Sequence, residues 1–265
     1  MKNASVNVAV LSSSGFACEA EILASQLGVP LVQNISGKSS LPKAEKTLYL
    51  SYFEQGLGLF EQYAKAKPVI VDFHAQAQKR RQGTEILAKA VGKGSRPLSV
   101  LDATAGLGRD SFMLAQRGYQ LTAMERNPFV AALLSDGVAR LQDSELAALH
   151  FKFLEGCSVS AMQRAVSGSV AQIEQEKWDV VVLDPMFPSS NKSALVKKDM
   201  QLFHQLVGFD DNGSSLFDAA IDCAKHRVVV KRGLKSPPLV NHIAPSFQVK
   251  GKSIRCDVYT KQKLP

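Results

Sequence analysis

Residues 97–118 read PLSVLDATAGLGRDSFMLAQRG, and this stretch decides the fold. The apolar run ending at Asp102 reads as a strand, and DSFMLAQR, stopped by Gly118, reads as a helix. Between them, Gly106 and Gly108 allow the backbone to take positive φ and to approach a ligand closely. The helix start adds unpaired N–H groups. A strand, a glycine loop and a helix in that order open a Rossmann-like unit.

Toward the C terminus the alternation continues. YQLTAME (119–125) reads as a strand ending in Glu125, followed by a helix with Asn127 as cap and Pro128 in its first turn. HFKFLE (150–155), WDVVVLD (178–184) and RVVVKR (227–232) read as three more strands. SFQVKGKSIRCDVYT (246–260) holds two alternating runs around Gly251 and Lys252, a hairpin signal. The expectation is an α/β, mostly parallel sheet with a C-terminal antiparallel hairpin. Toward the N terminus, GKGSRP (92–97) is rich in turn formers and marks a boundary. Before it, VNVAVL, TLYLSYF and PVIVDF alternate with helix-like stretches at Cys18–Leu27 and Gly83–Val91. Residues 1–92 are therefore expected to form a small N-terminal α/β region, and 93–265 the larger unit.

Composition narrows the classes. Of 265 residues, 45% are hydrophobic with mixed charge, which fits a globular chain and not a disordered one. No apolar stretch approaches roughly 18 residues, so no membrane span is expected. The apolar run near the start is short and broken by Asn and Ser, so VNVAVL reads as a first strand instead of a signal segment, and the expected location is the cytoplasm. Cys18, Cys157, Cys223 and Cys256 form no CxxC pair, and the five histidines show no metal spacing, so no metal is expected. The net charge of +8 is uneven: residues 97–190 carry 7 Lys and Arg against 11 Asp and Glu, whereas residues 191–265 carry 13 against 6. Basic flanks around an acidic middle point to a polyanionic partner.

The acidic middle selects the cofactor. Glu125 stands 17 residues after Gly108, near the spacing of a ribose-binding acid. The third glycine of GxGxxG is absent, since Ser111 holds its place. Asp102, Asp110, Glu125 and Asp184 all map to strand ends or the loops beyond them. Four carboxylates repel a pyrophosphate but suit a ligand with an ammonium, a sulfonium and a ribose. S-adenosylmethionine meets that description better than NAD.

The buried run Val180–Leu183 ends in DPMFP, where open α/β sheets place their ligands. DPMF resembles the [DN]PP[YF] signature of methyltransferases acting on exocyclic amino groups of bases, with Met186 in place of the second proline. Asp184 and the Pro185 carbonyl can each accept one amine N–H, and Phe187 can stack on an extruded base.

VDFHAQAQKRR, LDATAGLGRD, MERNPFVAALLSDGVARL, LDPMFPSSNKSALVKK and RVVVKR together closely resemble the ribosomal RNA small subunit methyltransferase J family, over about residues 69–265. The resemblance implies a class I fold and transfer of a methyl group from S-adenosylmethionine to N2 of a guanosine in 16S rRNA. It implies cofactor contacts at Arg109 and Asp110, Glu125 and Arg126, Cys157 and Ser158, and Asp184. Cys157 stands where serine is familiar, so a backbone contact is expected there. Arg80, Arg81, Lys197, Lys198, Lys231 and Arg232 are candidate phosphate contacts on the RNA-facing surface, to which residues 1–92 can add. Two other readings stay open: an amino-methyltransferase with another acceptor (adenine, a DNA base or a protein amide), and a non-catalytic, RNA-binding assembly factor. A nicotinamide oxidoreductase is disfavoured by Ser111 and the acidic crevice. The sequence does not set the oligomeric state.

Overall fold

The computed structural model describes residues 7–33, 47–61, 67–78, 82–142, 148–167, 177–185, 206 and 213–265. Strands β1 (Asn7–Ser12), β2 (Leu31–Gln33), β3 (Thr47–Phe53), β4 (Gly56–Glu61) and β5 (Val69–Ile70) form one sheet in the order β2-β1-β3-β4-β5. β1 runs parallel to β2 and β3, while β3, β4 and β5 are antiparallel neighbours. Helix α1 (Ala17–Leu27) carries the β1-to-β2 crossover and stops at Gly28. β2 and β4 are absent from the sequence reading. β4, GLGLFE, alternates glycine with leucine, a pattern with little strand propensity. Gly58 is required there because a Cβ would lie 2.9 Å from both Phe53 and Pro68. PVIVDF yields only the two residues of β5, because Asp72 caps the next helix, accepting the Ala75 N–H at 2.9 Å.

The remaining elements build a larger sheet. They are α2 (Phe73–Ala77), α3 (Gln82–Val91), β6 (Ser99–Asp102), α4 (Arg109–Ala115), β7 (Gln120–Glu125), α5 (Pro128–Gln142), β8 (Phe151–Glu155), α6 (Ser158–Ser167), β9 (Val180–Leu183), α7 (Gly213–Cys223), β10 (Arg227–Gly233), β11 (Phe247–Lys250) and β12 (Ile254–Thr260). The strand order is β11-β12-β10-β9-β6-β7-β8. β8, β7, β6, β9 and β10 are parallel, and β12 pairs antiparallel with β10 and β11. This is the mostly parallel α/β sheet with a terminal hairpin that the sequence leads one to expect.

Alternation along the strands sorts the core into two layers. Val180 and Val182 pack with Phe112, Leu87 and Val91 on one face, while Val181 and Leu183 pack with Met162, Phe217 and Ala220 on the other. Helices α2 and α3 precede GKGSRP yet belong to the first of these layers. Phe73 stacks on Phe112 at 4.7 Å and meets Phe151 edge-on at 5.6 Å. Helix α5 joins the two sheets: Asp136 accepts the Leu57 N–H at 3.0 Å, and Arg140 reaches Asp136 at 2.8 Å and the Val71 carbonyl at 2.6 Å. At the amino ends of β6 and β9, buried Asp179 accepts Arg96 at 2.7 and 2.9 Å and the Ser99 N–H at 2.9 Å. That clamp fixes β6 and β9 to each other at their amino ends.

Candidate active site

Chain order reverses at β6, which has β7 on one side and β9 on the other. Loops leaving β6 and β9 therefore diverge and open a crevice above their carboxyl ends. Four strand ends line up along this edge. They bring Asp184 (after β9), Asp102 (β6), Glu125 (β7) and Cys157 (after β8) into one row.

The glycine loop is held from below by two carboxylates. Gly106, at φ 55, donates its N–H to Glu125 Oε2 at 2.9 Å, and Asn127 donates to Oε1 at 2.8 Å. Glu125 is thus locked by two backbone donors. Burial raises its pKa, and those N–H groups oppose the rise. Ala105 adds a bond from its N–H to the Met124 carbonyl at 2.9 Å. Gly108, at φ 69, precedes the first residue of α4, and a Cβ there would meet Leu134 at 2.6 Å. The second glycine thus serves close packing of the loop on α5. Asn127 caps α5 as expected, its Oδ1 accepting Phe129 and Val130 N–H groups at 3.1 and 3.2 Å.

Asp102 is buried and turned inward. Its carboxylate accepts Ser111 Oγ–H at 2.6 Å and the Thr104 N–H at 3.2 Å. Burial pushes its pKa up to about 7 against those two donors. Asp102 therefore shapes the loop and carries only part of a charge near neutrality. Ser111, which stands in place of the third glycine, is the partner that makes a buried aspartate tolerable there. A pH dependence follows. The folded state binds this proton more tightly than the unfolded chain, so stability from this group falls as pH rises from about 4 to about 7. Asp102→Asn removes the ionisation, keeps the Thr104 N–H bond to its oxygen, and lets the Ser111 hydroxyl turn to accept from its NH2 group. Between pH 5 and pH 8 the wild type is expected to lose about 2–3 kcal/mol relative to Asp102→Asn in urea unfolding. A constant difference over that range would show that Asp102 does not titrate there.

Asp184 leaves the sheet edge with its N–H donated to Thr104 Oγ1 at 2.6 Å, so the β6 loop and the β9 end are tied together. Thr104 is a contributor that the sequence reading missed. Lys231, at the carboxyl end of β10, donates to Asp184 Oδ2 at 2.8 Å and to Asp110 Oδ2 in the first turn of α4. Burial lowers the Lys231 pKa, but the two carboxylates outweigh it and hold the ammonium charged. Partial loss of hydration raises the Asp184 pKa although the side chain stays partly exposed, and Lys231 opposes the rise. The crevice is thus less negative than four bare carboxylates, because one lysine is shared by two of them.

This placement changes one expectation. Lys231 and Arg232 read as neighbouring phosphate contacts, but strand alternation separates them. Lys231 enters the crevice; Arg232 is buried, its Nε bonded to the Pro237 carbonyl at 3.0 Å. Neither is presented as a surface cation. The β9–β10 register explains the pairing: Val230 stands opposite Leu183, which puts Lys231 beside Asp184.

At the β8 end, the Gly156 N–H donates to the Glu125 carbonyl at 2.9 Å. Exposed Cys157 opens α6, and a bond from the Ser160 N–H lowers the thiol pKa. Ser158 is buried. Arg109 begins α4 and Arg126 follows β7, both at the rim of the same edge. Pro185 is buried directly after Asp184. Phe187, Lys197, Lys198, Arg80 and Arg81 lie outside the described residues. Among the described residues no three His, Cys, Asp or Glu side chains cluster as a metal site, and no helix is long and apolar enough to cross a membrane.

Comparison with known proteins agrees with this geometry. A family model described as "Putative SAM-dependent methyltransferase" matches residues 35–261. The chain is 42% identical over 272 residues to ribosomal RNA small subunit methyltransferase J of Stutzerimonas stutzeri, covering 99% of this chain and 98% of the relative. It is 43% identical to the protein of that name in Pseudomonas aeruginosa, covering 95% and 94%. The crystal structure of a SAM-dependent methyltransferase from Neisseria gonorrhoeae superposes with a TM-score of 0.69 at 35% identity, covering 95% of each chain.

Proposed function

This chain belongs to the ribosomal RNA small subunit methyltransferase J family of S-adenosylmethionine-dependent methyltransferases, and from that premise we propose that it methylates the exocyclic N2 amino group of a guanosine in 16S rRNA. The observation that carries the reading is the row of strand ends, with Glu125 under the glycine loop and Asp184 across the crevice.

The donor set suits the cofactor. Gly106 and Asn127 N–H groups meet the two Glu125 oxygens, and a carboxylate with about four lone-pair sites keeps acceptor capacity for a ribose diol. Gly106 at positive φ lets the loop approach the nucleoside. Asp110 and Asp184 supply negative charge for a cationic amino-acid end. Arg109, Arg126 and the Cys157–Ser158 backbone complete the rim in this reading. When bound, S-adenosylmethionine supplies an electrophilic methyl group on a sulfonium.

The chain's own work lies in positioning. An aromatic amine is a poor nucleophile because its lone pair is delocalised into the ring. Asp184 accepts one amine N–H and the Pro185 carbonyl the other, which directs the lone pair out of the ring plane. Phe187 stacks on the extruded base. In this reading Lys197 and Lys198, which follow the motif most closely in the sequence, and Arg80 and Arg81 supply phosphate contacts to the RNA.

The reading is tested by incubating the protein and methyl-labelled cofactor with small ribosomal subunits from cells lacking this gene, then digesting the RNA to nucleosides. Label in N2-methylguanosine is expected. Label in a methylated adenosine, or in ribosomal protein, would replace the acceptor; cofactor binding without transfer to subunits or naked RNA would favour a binding role.

A further inference from the structure

We propose that Lys231 is a positioning residue for methyl transfer: it engages one oxygen of Asp184 and one of Asp110, so that Asp184 turns its other oxygen toward the acceptor amine. The inference rests on the function proposed above. A carboxylate on an exposed strand end rotates freely and can present either oxygen. Here Oδ2 is engaged by Lys231 at 2.8 Å while the Asp184 backbone N–H is held by Thr104, so both ends of the residue are fixed. The lysine is itself set by the fold. It follows Val230, which is in register with Leu183, and it stands opposite buried Cys256 on β12. Only 21% of its side chain is exposed, against 45% of Asp184. The arrangement has an open face, on the side of Asp184, and a closed one, on the side of Lys231.

The same ammonium joins α4 to the β9 end. Asp110 lies in the first turn of the helix after the glycine loop, so the loop and the acceptor carboxylate are pinned by one charge. Without it, Asp184 would face Asp110 on α4 and Asp102 on β6, with Arg232 and the Cys256 thiol the other titratable groups coupled to it among the described residues. Like charges at that spacing favour protonation, and a protonated Asp184 no longer offers a charged acceptor.

The test compares Lys231→Met and Lys231→Arg with the wild type. The rate is measured against pH, and the Asp184 carboxyl titration is followed by carbon-13 NMR, assigned with Asp184→Asn. In Lys231→Met the Asp184 pKa and the acid limb of kcat are expected to rise together by about 1–3 pH units. At pH 6 kcat is expected to fall about 10-fold or more, with RNA affinity held within about 2-fold. Lys231→Arg keeps the charge and is expected to return the acid limb toward wild type. Should Lys231→Met fail to fold, Lys231→Gln takes its place with the same expectation. An Asp184 titration and acid limb unchanged in the neutral variant would overturn the proposal, as would a variant whose only defect is a shallower salt dependence of RNA binding, which marks a phosphate contact. A wild type that methylates no RNA at any pH would defeat the proposed function alone, since the NMR titration still upholds or overturns the Lys231–Asp184 coupling.

Discussion

Asp184→Ala is expected to transfer methyl groups about 10- to 150-fold more slowly than the wild type. The substitution removes a charge-assisted hydrogen bond to the amine, worth about 1.5–3 kcal/mol, and that range converts to the stated loss when the bond strengthens in the transition state. It also leaves Lys231 with Asp110 as its remaining carboxylate partner among the described side chains, which retains the α4 contact while the acceptor oxygen is lost. Single-turnover rates at saturating cofactor and subunit isolate the chemical step. Asp184→Asn keeps an acceptor oxygen without the charge, so its rate is expected to fall between the two. Wild-type turnover in Asp184→Ala would remove this residue from the reaction.

Glu125→Gln is expected to weaken cofactor binding by about 30-fold. The wild-type carboxylate accepts backbone N–H groups with both oxygens, from Gly106 at 2.9 Å and Asn127 at 2.8 Å. A glutamine can accept with one oxygen only; its NH2 group must then face the other N–H, donor against donor. A buried donor left without a partner costs about 1–3 kcal/mol, and about 2 kcal/mol corresponds to the stated factor. The cost appears as displacement of the glycine loop, so calorimetry with S-adenosylmethionine registers it directly, while RNA affinity stays near wild type. A cofactor Kd within about 2-fold of the wild type would mean that the loop holds its shape without Glu125.

The sheet was legible because strand and helix alternate with clear stops, as at Gly118 and at the Asn127–Pro128 helix start. The carboxyl-end positions of Asp102, Glu125 and Asp184 followed from the same alternation. What escaped was whatever tertiary contact decides. β4 is a strand because Gly58 lets Phe53, Pro68 and Ile70 close over it, which no propensity records. Asp102 looked like a ligand from its place at a strand end, but burial and Ser111 turn it inward. Lys231 looked like half of a basic pair; it needed the β9–β10 register to be seen as the partner of Asp184. Helices α2 and α3 precede the turn-rich segment in sequence but pack on the larger sheet, since Phe73 inserts between Phe112 and Phe151.

The proposed function requires the crevice between the β6 and β9 loops to bind the cofactor over Glu125 and the acceptor base at Asp184. A crystal structure with S-adenosylhomocysteine tests it most directly. The expected result places the ribose hydroxyls within hydrogen-bond distance of the Glu125 carboxylate, the Gly106 loop against the nucleoside, and the thioether sulfur facing Asp184. A ligand bound elsewhere, or one in this crevice that leaves Glu125 without contact and the sulfur turned from Asp184, would contradict it.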